Sequence, residues 1–233
     1  MMYFDPTYLI LVALPAMILS GLAQWYVRST YSKWGQVANS RQLTGADVAQ
    51  GLKTKYGLQA SVATAQGALS DNFDPSSGVV NLSPDVASQP SVASMAIAAH
   101  EFGHVQQHQD RSPLMAIRTF LVPAVRISPT VSYLMIIGGI MLNFAGLAWL
   151  GVGLFGISVL FMVLTLPVEI DASTRAMNML NAGGFFATEQ DRQGARQMLT
   201  AAAFTYLAAA LTSIFQLVYY LSLISRSSRR SSY

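Results

Sequence analysis

Residues 91–110 (SVASMAIAAHEFGHVQQHQD) contain all three histidines of the chain, His100, His104 and His108. His100 and His104 are four residues apart, so on a helix both imidazoles project from one face, with Glu101 beside them. Two neutral imidazoles in this arrangement can bind zinc, and the glutamate can take a proton from zinc-activated water. The segment predicts a hydrolytic zinc site with His100 and His104 as ligands and Glu101 as general base.

The alternative for these histidines is a set of hydrogen-bonded or solvated side chains without a metal. The preceding segment, ASMAIAA (93–99), favours the metal site, because its small side chains let a neighbouring element approach closely. Gly103 stands between the two ligand positions, although glycine inside a helix costs about 1 kcal/mol relative to alanine. Its presence indicates that the site needs room there.

His108 continues the histidine row by four more residues. On a straight helix it would lie about 12 Å along the axis from His100. Zinc–nitrogen bonds are about 2.1 Å long, so three such histidines do not converge easily on one ion. His108 is expected to orient a ligand, face the substrate or lie on the surface, and it remains an alternative ligand.

The rest of the chain is strongly apolar. Of its 233 residues 52% are hydrophobic and 11% are charged, whereas about 25% are charged in an ordinary soluble domain. Uncharged stretches of bilayer length run over residues 8–27, 131–168 and 201–224. As one helix, 131–168 would measure about 57 Å, roughly twice a bilayer core, so it predicts two crossings with a turn near 146–153. The sequence therefore predicts a multipass helical membrane protein with about four transmembrane helices.

The third zinc ligand must come from another element. The segment LPVEIDASTRAMNML (166–180) supplies Glu169 and Asp171, the first charges after the uncharged stretch 131–168. Two crossings separate this segment from the histidine helix, so both emerge on the same side of the membrane. Glu169 is predicted as the third ligand and Asp171 as its alternative, the other one orienting a ligand histidine. Without a metal, these acids would only mark the membrane boundary.

The distribution of Lys and Arg predicts the orientation in the membrane. Segments 28–130 and 169–200 hold eleven of the fourteen Lys and Arg residues. The positive-inside rule puts these segments in the cytoplasm and the N-terminus outside, in the cell (inner) membrane with the active site on its cytoplasmic face. The tail arginines, Arg226, Arg229 and Arg230, oppose this assignment. The tail is expected to contact lipid, and nucleic acid is not an expected partner.

The start of the chain has two interpretations. The segment before residue 8 carries Asp5 and neither Lys nor Arg, unlike a secretory signal peptide, so a retained anchor is predicted. A signal peptide cleaved after GLAQ (21–24) is the alternative. The chain has no cysteine, which excludes disulfides and thiolate ligands and fits a reducing compartment.

The polar segment 30–112 is predicted to form a small mixed domain. Thr44 and Asp47 have capping-box spacing and begin a helix that ends at Gly57. Residues 61–83, with turn residues at 74–78, predict a hairpin that ends in a strand over 79–82. This last strand is a candidate for pairing with an extended substrate.

Three further boundaries follow from cap and proline signals. Ser83 and Pro84 begin a short helix, and Ser91 begins the histidine helix, which must end before Pro113. Residues 113–130 are predicted to form a helix that lies along the membrane surface or dips into it. Arg175 is a weak candidate for stabilising an oxyanion and is favoured as a membrane anchor.

Four segments of the chain resemble the YugP-type neutral zinc metallopeptidases, a family of bacterial membrane zinc proteases. They are FDPTYLILVALPA (4–16), DNFDPSSGVVNLS (71–83), AAHEFGHVQQH (98–108) and LPVEIDASTRA (166–176). The resemblance covers nearly the whole chain in the same order. It implies a gluzincin-like layout, with His100, His104 and Glu169 as zinc ligands and Glu101 as general base.

A more distant likeness is to membrane proteases that trim prenylated or misfolded proteins. These enzymes pair HExxH with a later EXXXD-type helix. Here the residue four positions after Glu169 is Ser173 instead of Asp, which weakens that likeness.

Together these features predict a mainly α, multipass helical membrane protein with a small α+β gluzincin-like zinc peptidase domain at the membrane surface. The predicted parts are a first transmembrane helix (1–28), a cytosolic-side metallopeptidase domain with the HEFGH helix and a surface helix (29–130), a transmembrane hairpin (131–168), and the third-ligand helix, a loop, the last transmembrane helix and the basic tail (169–233). The predicted activity is zinc-dependent endopeptidase hydrolysis of a membrane-proximal peptide or protein. The alternatives are a non-enzymatic membrane scaffold or chaperone with a structural metal, and an inactive or autoinhibited peptidase.

Overall fold

The structure, a computed structural model, describes residues 6–67 and 70–230, with side chains up to Ser225. The chain is mainly helical and contains one small sheet. In chain order the elements are α1 (Pro6–Tyr8), a π-helical turn (Leu9–Ala13), α2 (Leu14–Gly35), α3 (Gly45–Tyr56), β1 (Ser61–Thr64), β2 (Asn72–Asp74), β3 (Val79–Leu82), α4 (Pro84–Ser88), α5 (Val92–Gln109), α6 (Pro113–Met141), α7 (Ala145–Ala182) and α8 (Glu189–Arg230).

Four helical segments are long and apolar enough to cross a membrane. They are Pro6–Gly35, Pro113–Met141, Ala145–Ala182 and Glu189–Ser225. This result confirms the prediction of a mainly helical protein with about four membrane helices. Asp5 and the side chains of the tail arginines, on which the anchor and lipid-contact predictions rest, lie outside the described residues.

The chain divides into two compact units, and the first contains most of the apolar helical segments. It comprises the described parts of 1–23, 117–166 and 205–233. Its buried core residues are Ile136, Ala148, Val152, Tyr220 and Ile224. Many large apolar side chains of these helices stay exposed, including Phe120 at 82%. An exposed apolar surface of this kind is suited to lipid.

The turn between α6 and α7 lies earlier than predicted. It spans residues 142–144, where Asn143 takes a left-handed φ of 52° that asparagine tolerates better than most residues. The prediction at 146–153 is wrong because the glycines there lie inside α7. A Cβ on Gly151 would lie 2.8 Å from the carbonyl oxygen of Ser132, so this glycine serves helix packing instead of a turn.

Residues 113–130 do not form a separate surface helix. They are the first part of α6, which continues without a break to Met141 and contains Pro123 and Pro129. The prediction ended this element at residue 130 and began the membrane hairpin at residue 131, where the uncharged stretch starts. Prolines are tolerated in membrane helices because neighbouring groups can satisfy the backbone carbonyls that they free.

The second unit comprises 24–116, as far as described, and 167–204. Its hydrophobic core contains side chains from the sheet, from α3, α4 and α5, and from parts of α7 and α8. The largest fully buried side chains of this core are Leu52, Leu82, Met95, Phe102 and Leu180. Because α5 packs on several elements, its side chains are buried almost all round.

The local signals for α3 and α5 are confirmed. The Thr44 hydroxyl accepts from the Asp47 N–H at 3.1 Å, and the Asp47 carboxylate accepts from the Thr44 N–H at 2.9 Å. Gly57 ends α3 with a φ of 63°. Ser91 caps α5 by accepting from the Ser94 N–H at 3.0 Å. This cap fixes where the histidine helix begins.

The sheet has the order β1-β3-β2. The hairpin prediction is confirmed for β2 and β3, which pair antiparallel with Asn72 opposite Asn81. β1 pairs parallel with the other side of β3, with Ser61 opposite Val79, a long-range pairing that the hairpin prediction did not include. The central strand β3 therefore has neighbours on both sides.

The two aspartates of the DNFDP segment fix the ends of β2. The Asp74 carboxylate accepts from the Ser76 hydroxyl at 2.6 Å, from the Ser77 hydroxyl at 2.7 Å and from the N–H of Ser76 at 2.9 Å, which lowers the pKa of Asp74 to about 2. Asp71 accepts from the N–H of Ser83 at 2.7 Å. The Ser83 hydroxyl also bonds Asp71, so Ser83 begins α4 without capping it by a side-chain bond.

α5 and α7 touch through their backbones at Gly103. A Cβ on Gly103 would lie 2.3 Å from the carbonyl oxygen of Ala172, 3.0 Å from its carbonyl carbon and 3.1 Å from its Cα. Backbone atoms cannot move aside as a flexible side chain can. Gly103 therefore makes room for α7, in addition to separating the two histidines.

We expect Gly103→Ala to destabilise the protein by roughly 1–3 kcal/mol, because the added methyl group would overpack a backbone contact. The measurement is unfolding of the detergent-solubilised protein by heat or denaturant. Gly35→Ala is the matched control, since a Cβ there meets nothing within 4 Å. Equal stability of the two variants would contradict the packing role of Gly103.

Candidate metal centre

The structure brings His100, His104 and Glu169 together. Glu169 Oε2 lies 3.1 Å from His100 Nε2 and 3.4 Å from His104 Nε2. One ligand atom from each of the three residues lies within 4.8 Å of the others. Glu169 is 65 or more positions from either histidine in the chain, yet all three side chains point their donor atoms at one place.

Two helices position these three donors. His100 and His104 lie on successive turns of α5, and Glu169 lies on α7. The small residues of α5 allow the close approach, and the Gly103–Ala172 backbone contact fixes its depth. The predicted third-ligand segment and the preceding apolar run belong to one continuous helix.

The cluster is shielded from solvent. Glu169 is 1% exposed and His104 is 7% exposed, while the His100 side chain is 12% exposed. A carboxylate in such a place needs a positive partner, because an unpaired buried charge is costly. Two imidazole nitrogens and one carboxylate oxygen are a donor set that zinc binds, so the residues fit the ion that the sequence predicts.

Glu101 is also buried, at 7% exposure, and lies between the two histidine positions in sequence. Burial raises the pKa of Glu101 because it disfavours the charged form, whereas His100 and His104 act to lower it. A carboxylate with a raised pKa is a better proton acceptor.

Asp171, the alternative ligand, lies outside the cluster. Its Oδ2 accepts from Gln107 Nε2 at 2.7 Å and from Arg175 Nε at 2.8 Å. Gln107 Oε1 in turn lies 2.9 Å from His104 Nδ1. Asp171 therefore reaches a histidine through an intermediate amide, which sequence reasoning missed. A buried glutamine three residues after His104 was the available signal.

His100 has a different neighbour at its second nitrogen. The Ser173 hydroxyl lies 3.2 Å from His100 Nδ1. Ser173 stands four residues after Glu169, where the EXXXD-type enzymes have Asp. It lies one helical turn beyond Glu169, and its side chain meets this imidazole.

His108 and Arg175 are engaged elsewhere. His108 is exposed, and its ring packs edge-on against Phe73 with the centroids 5.8 Å apart. Among the described residues it is not part of the metal-binding group.

Arg175 forms ion pairs with Asp171 and Asp110. The pair with Asp110 joins α7 to the end of α5. Arg175 thus has a role that neither sequence interpretation included.

We expect His104→Asn to lose bound zinc and His108→Asn to keep it, because only His104 belongs to the cluster. The measurement is the zinc content of each purified protein after dialysis. The two substitutions are chemically identical and lie four residues apart on one helix, so each serves as the control for the other. Zinc loss in the His108 variant alone would contradict this ligand set.

Comparisons with known proteins agree with the site. Residues 8–225 match the family described as "Putative neutral zinc metallopeptidase". The "Putative membrane protease YugP" of Bacillus subtilis (strain 168) is 37% identical over 210 residues, which cover 90% of this chain and 93% of that protein. No solved structure matches the chain. The resemblance seen in the sequence is confirmed: the chain belongs to this family of neutral zinc metallopeptidases, and its metal is zinc.

Proposed function

We propose that the protein is a membrane-anchored zinc-dependent endopeptidase. His100, His104 and Glu169 hold the zinc ion, and Glu101 is the general base. The observation that carries the proposal is the convergence of the two imidazoles and the buried carboxylate, with ligand atoms within 4.8 Å of one another. The family description, which names a zinc metallopeptidase, supports the same reaction class.

The ligands and the base divide the chemistry between them. When bound, zinc supplies a Lewis acid that lowers the pKa of water and polarises the scissile carbonyl. With the doubly charged zinc ion bound, two neutral histidines and one carboxylate would leave the site with a net positive charge. This charge would stabilise the negative charge that develops during hydrolysis. Glu101 accepts the proton of the attacking water and transfers it to the leaving amine.

The arrangement of ligands corresponds to a gluzincin-like layout. Two histidines come from one helix, α5, and the glutamate comes from a later helix, α7. We assign the peptidase domain to the second unit, which contains all three residues. Asp171 then holds His104 through Gln107 without binding the ion, and His108 takes no part in the ligand set.

The substrate is a peptide or protein close to the membrane, and the four apolar helices contact lipid. The strand over 79–82 is not the one that pairs with substrate, because both of its edges are occupied by β1 and β2. Of the strands described, β2 is the better candidate. Its Phe73 packs on His108, one turn beyond His104 on the same helix.

The active site faces the cytoplasm in this proposal. Glu169 directly follows the uncharged stretch that ends at residue 168, which supports a site close to the membrane. Most Lys and Arg residues lie in the segments that carry the site, which supports the cytoplasmic side.

We expect Glu101→Gln to keep the zinc content of the wild type and to abolish peptide cleavage, because glutamine preserves the shape but cannot accept the proton. The measurements are metal analysis and hydrolysis of an unstructured protein substrate in detergent micelles. Removing zinc from the wild type with a chelator should also stop cleavage, and added zinc should restore it.

The control for Glu101→Gln is Glu189→Gln, the same change at a glutamate whose side chain is 77% exposed and pairs with Arg192. Full activity is expected there. Wild-type proteolysis in the Glu101 variant would refute the assigned base. A protein that binds zinc but cleaves nothing in any form would favour a scaffold with a structural metal.

Orientation can be measured with single cysteines, because the natural chain has none. We expect Thr54→Cys to resist a membrane-impermeant maleimide until the membrane is permeabilised, and Leu142→Cys to react in intact cells. Thr54 lies on α3 and Leu142 in the turn between α6 and α7. The reverse labelling pattern would move the site to the outer face while leaving its chemistry untouched.

A further inference from the structure

Gln107 is a buried amide on α5, three residues beyond His104, and the mechanism above gives it no part. It is 1% exposed, so its polar atoms need partners inside the protein. Nε2 donates to the Val168 carbonyl at 2.8 Å and to Asp171 Oδ2 at 2.7 Å. Oε1 lies 2.9 Å from His104 Nδ1. One side chain therefore joins two points on α7 to a zinc-binding histidine.

The two α7 atoms decide which way the amide faces. A main-chain carbonyl and a carboxylate only accept hydrogen bonds, so the NH₂ group of Gln107 must face Val168 and Asp171. The opposite orientation would set the amide oxygen against two acceptors in a buried place, where unsatisfied polar groups are costly. The oxygen of Gln107 must therefore face His104.

This orientation determines where His104 carries its hydrogen. Because the amide oxygen only accepts, Nδ1 of His104 must be the donor. Nε2 of a neutral His104 then keeps its lone pair, and this atom lies 3.4 Å from Glu169 Oε2. Zinc needs that lone pair, so the hydrogen-bond chain prepares His104 to bind it.

We infer that Gln107 is a positioning residue: oriented by Asp171 and the Val168 carbonyl, it holds His104 with its hydrogen on Nδ1 and its Nε2 directed at the zinc site. The inference rests on the proposed function, because it assumes that His104 is a ligand. Asp171 is itself held by Arg175, which also pairs with Asp110 beyond the end of α5. The chain of contacts thus runs from a partly exposed ion pair to the metal centre.

The contact at His100 does not have this property. Ser173 Oγ lies 3.2 Å from His100 Nδ1, but a hydroxyl can donate as well as accept and imposes no choice on the imidazole. Loss of Gln107 should therefore weaken zinc binding more than loss of Ser173. Partners of metal-bound histidines typically contribute about 10- to 100-fold to metal affinity.

The test compares zinc affinities of purified full-length variants by competition with a chromophoric chelator. Gln107→Met keeps the volume and removes every hydrogen bond. Gln106→Met is the matched control, the same change at the preceding residue, which is only partly buried. We expect the Gln107 variant to bind zinc about 10- to 100-fold more weakly, Ser173→Ala to lose less, and the Gln106 variant to match the wild type.

A second pair of variants tests the orientation of the chain of contacts. Gln107→Glu keeps an acceptor for His104 but sets its other oxygen against Val168 and Asp171. Adding Asp171→Asn removes the facing carboxylate and supplies an amide donor there at the expense of the Arg175 Nε bond, while Arg175 keeps its ion pair with Asp110. The double variant should therefore bind zinc more tightly than Gln107→Glu alone. Such coupling between the two positions is what a double-mutant cycle isolates. Unfolding midpoints of the metal-free proteins report any separate loss of stability.

The outcomes are distinct. Wild-type zinc affinity in Gln107→Met, or no recovery in the double variant, would overturn the inference while leaving the proposed function intact. If Gln107→Met fails to fold, the comparison of Gln107→Glu with the double variant decides. A wild-type protein that binds no zinc, or a His104→Asn variant that binds it equally well, would overturn the proposed function and this inference with it.

Discussion

The site depends on one buried contact, in which a carboxylate from α7 lies between two imidazoles of α5. Glu169 is 1% exposed, and a carboxylate removed from water in this way is stable only beside positive charge. The backbone contact at Gly103 sets the distance between the helices. Packing, burial and charge therefore act on the same few atoms, and a change in any one of them reaches the other two.

The polar groups around this contact form two different arrangements. His104 meets an amide whose orientation is fixed by groups on α7. His100 meets a hydroxyl that can rotate. The two imidazoles are thus held unequally, although a simple reading of HEFGH treats them as equivalent. The stretch of α7 around Glu169 also provides the groups that contact His100 directly and His104 through Gln107. This helix therefore contributes one member of the cluster and contacts the surroundings of the other two.

Sequence reasoning succeeded where the relevant forces are local. The cap of α3 and the hairpin of β2 and β3 follow from neighbouring residues and were predicted correctly. Glu169 was found because membrane crossings constrain which segments can meet. The role of Gln107 was missed because an amide faces one way or the other only after α7 has packed on α5. The turn at 142–144 was misplaced because glycine occurs both in turns and at close helix contacts. The parallel pairing of β1 with β3 was missed because it depends on residues that are distant in the sequence.

His100, His104 and Glu169 lie on two helices, α5 and α7. Both helices are anchored in the hydrophobic core of the second unit, α5 through Phe102 and α7 through Leu180. In small zinc-finger domains, by contrast, the metal itself drives folding. Here both helices are also held by an apolar core, so metal binding adds to the stability of a fold that hydrophobic packing already supports. By mass action, the free concentration of the metal then becomes one of the quantities that set the stability of the folded chain.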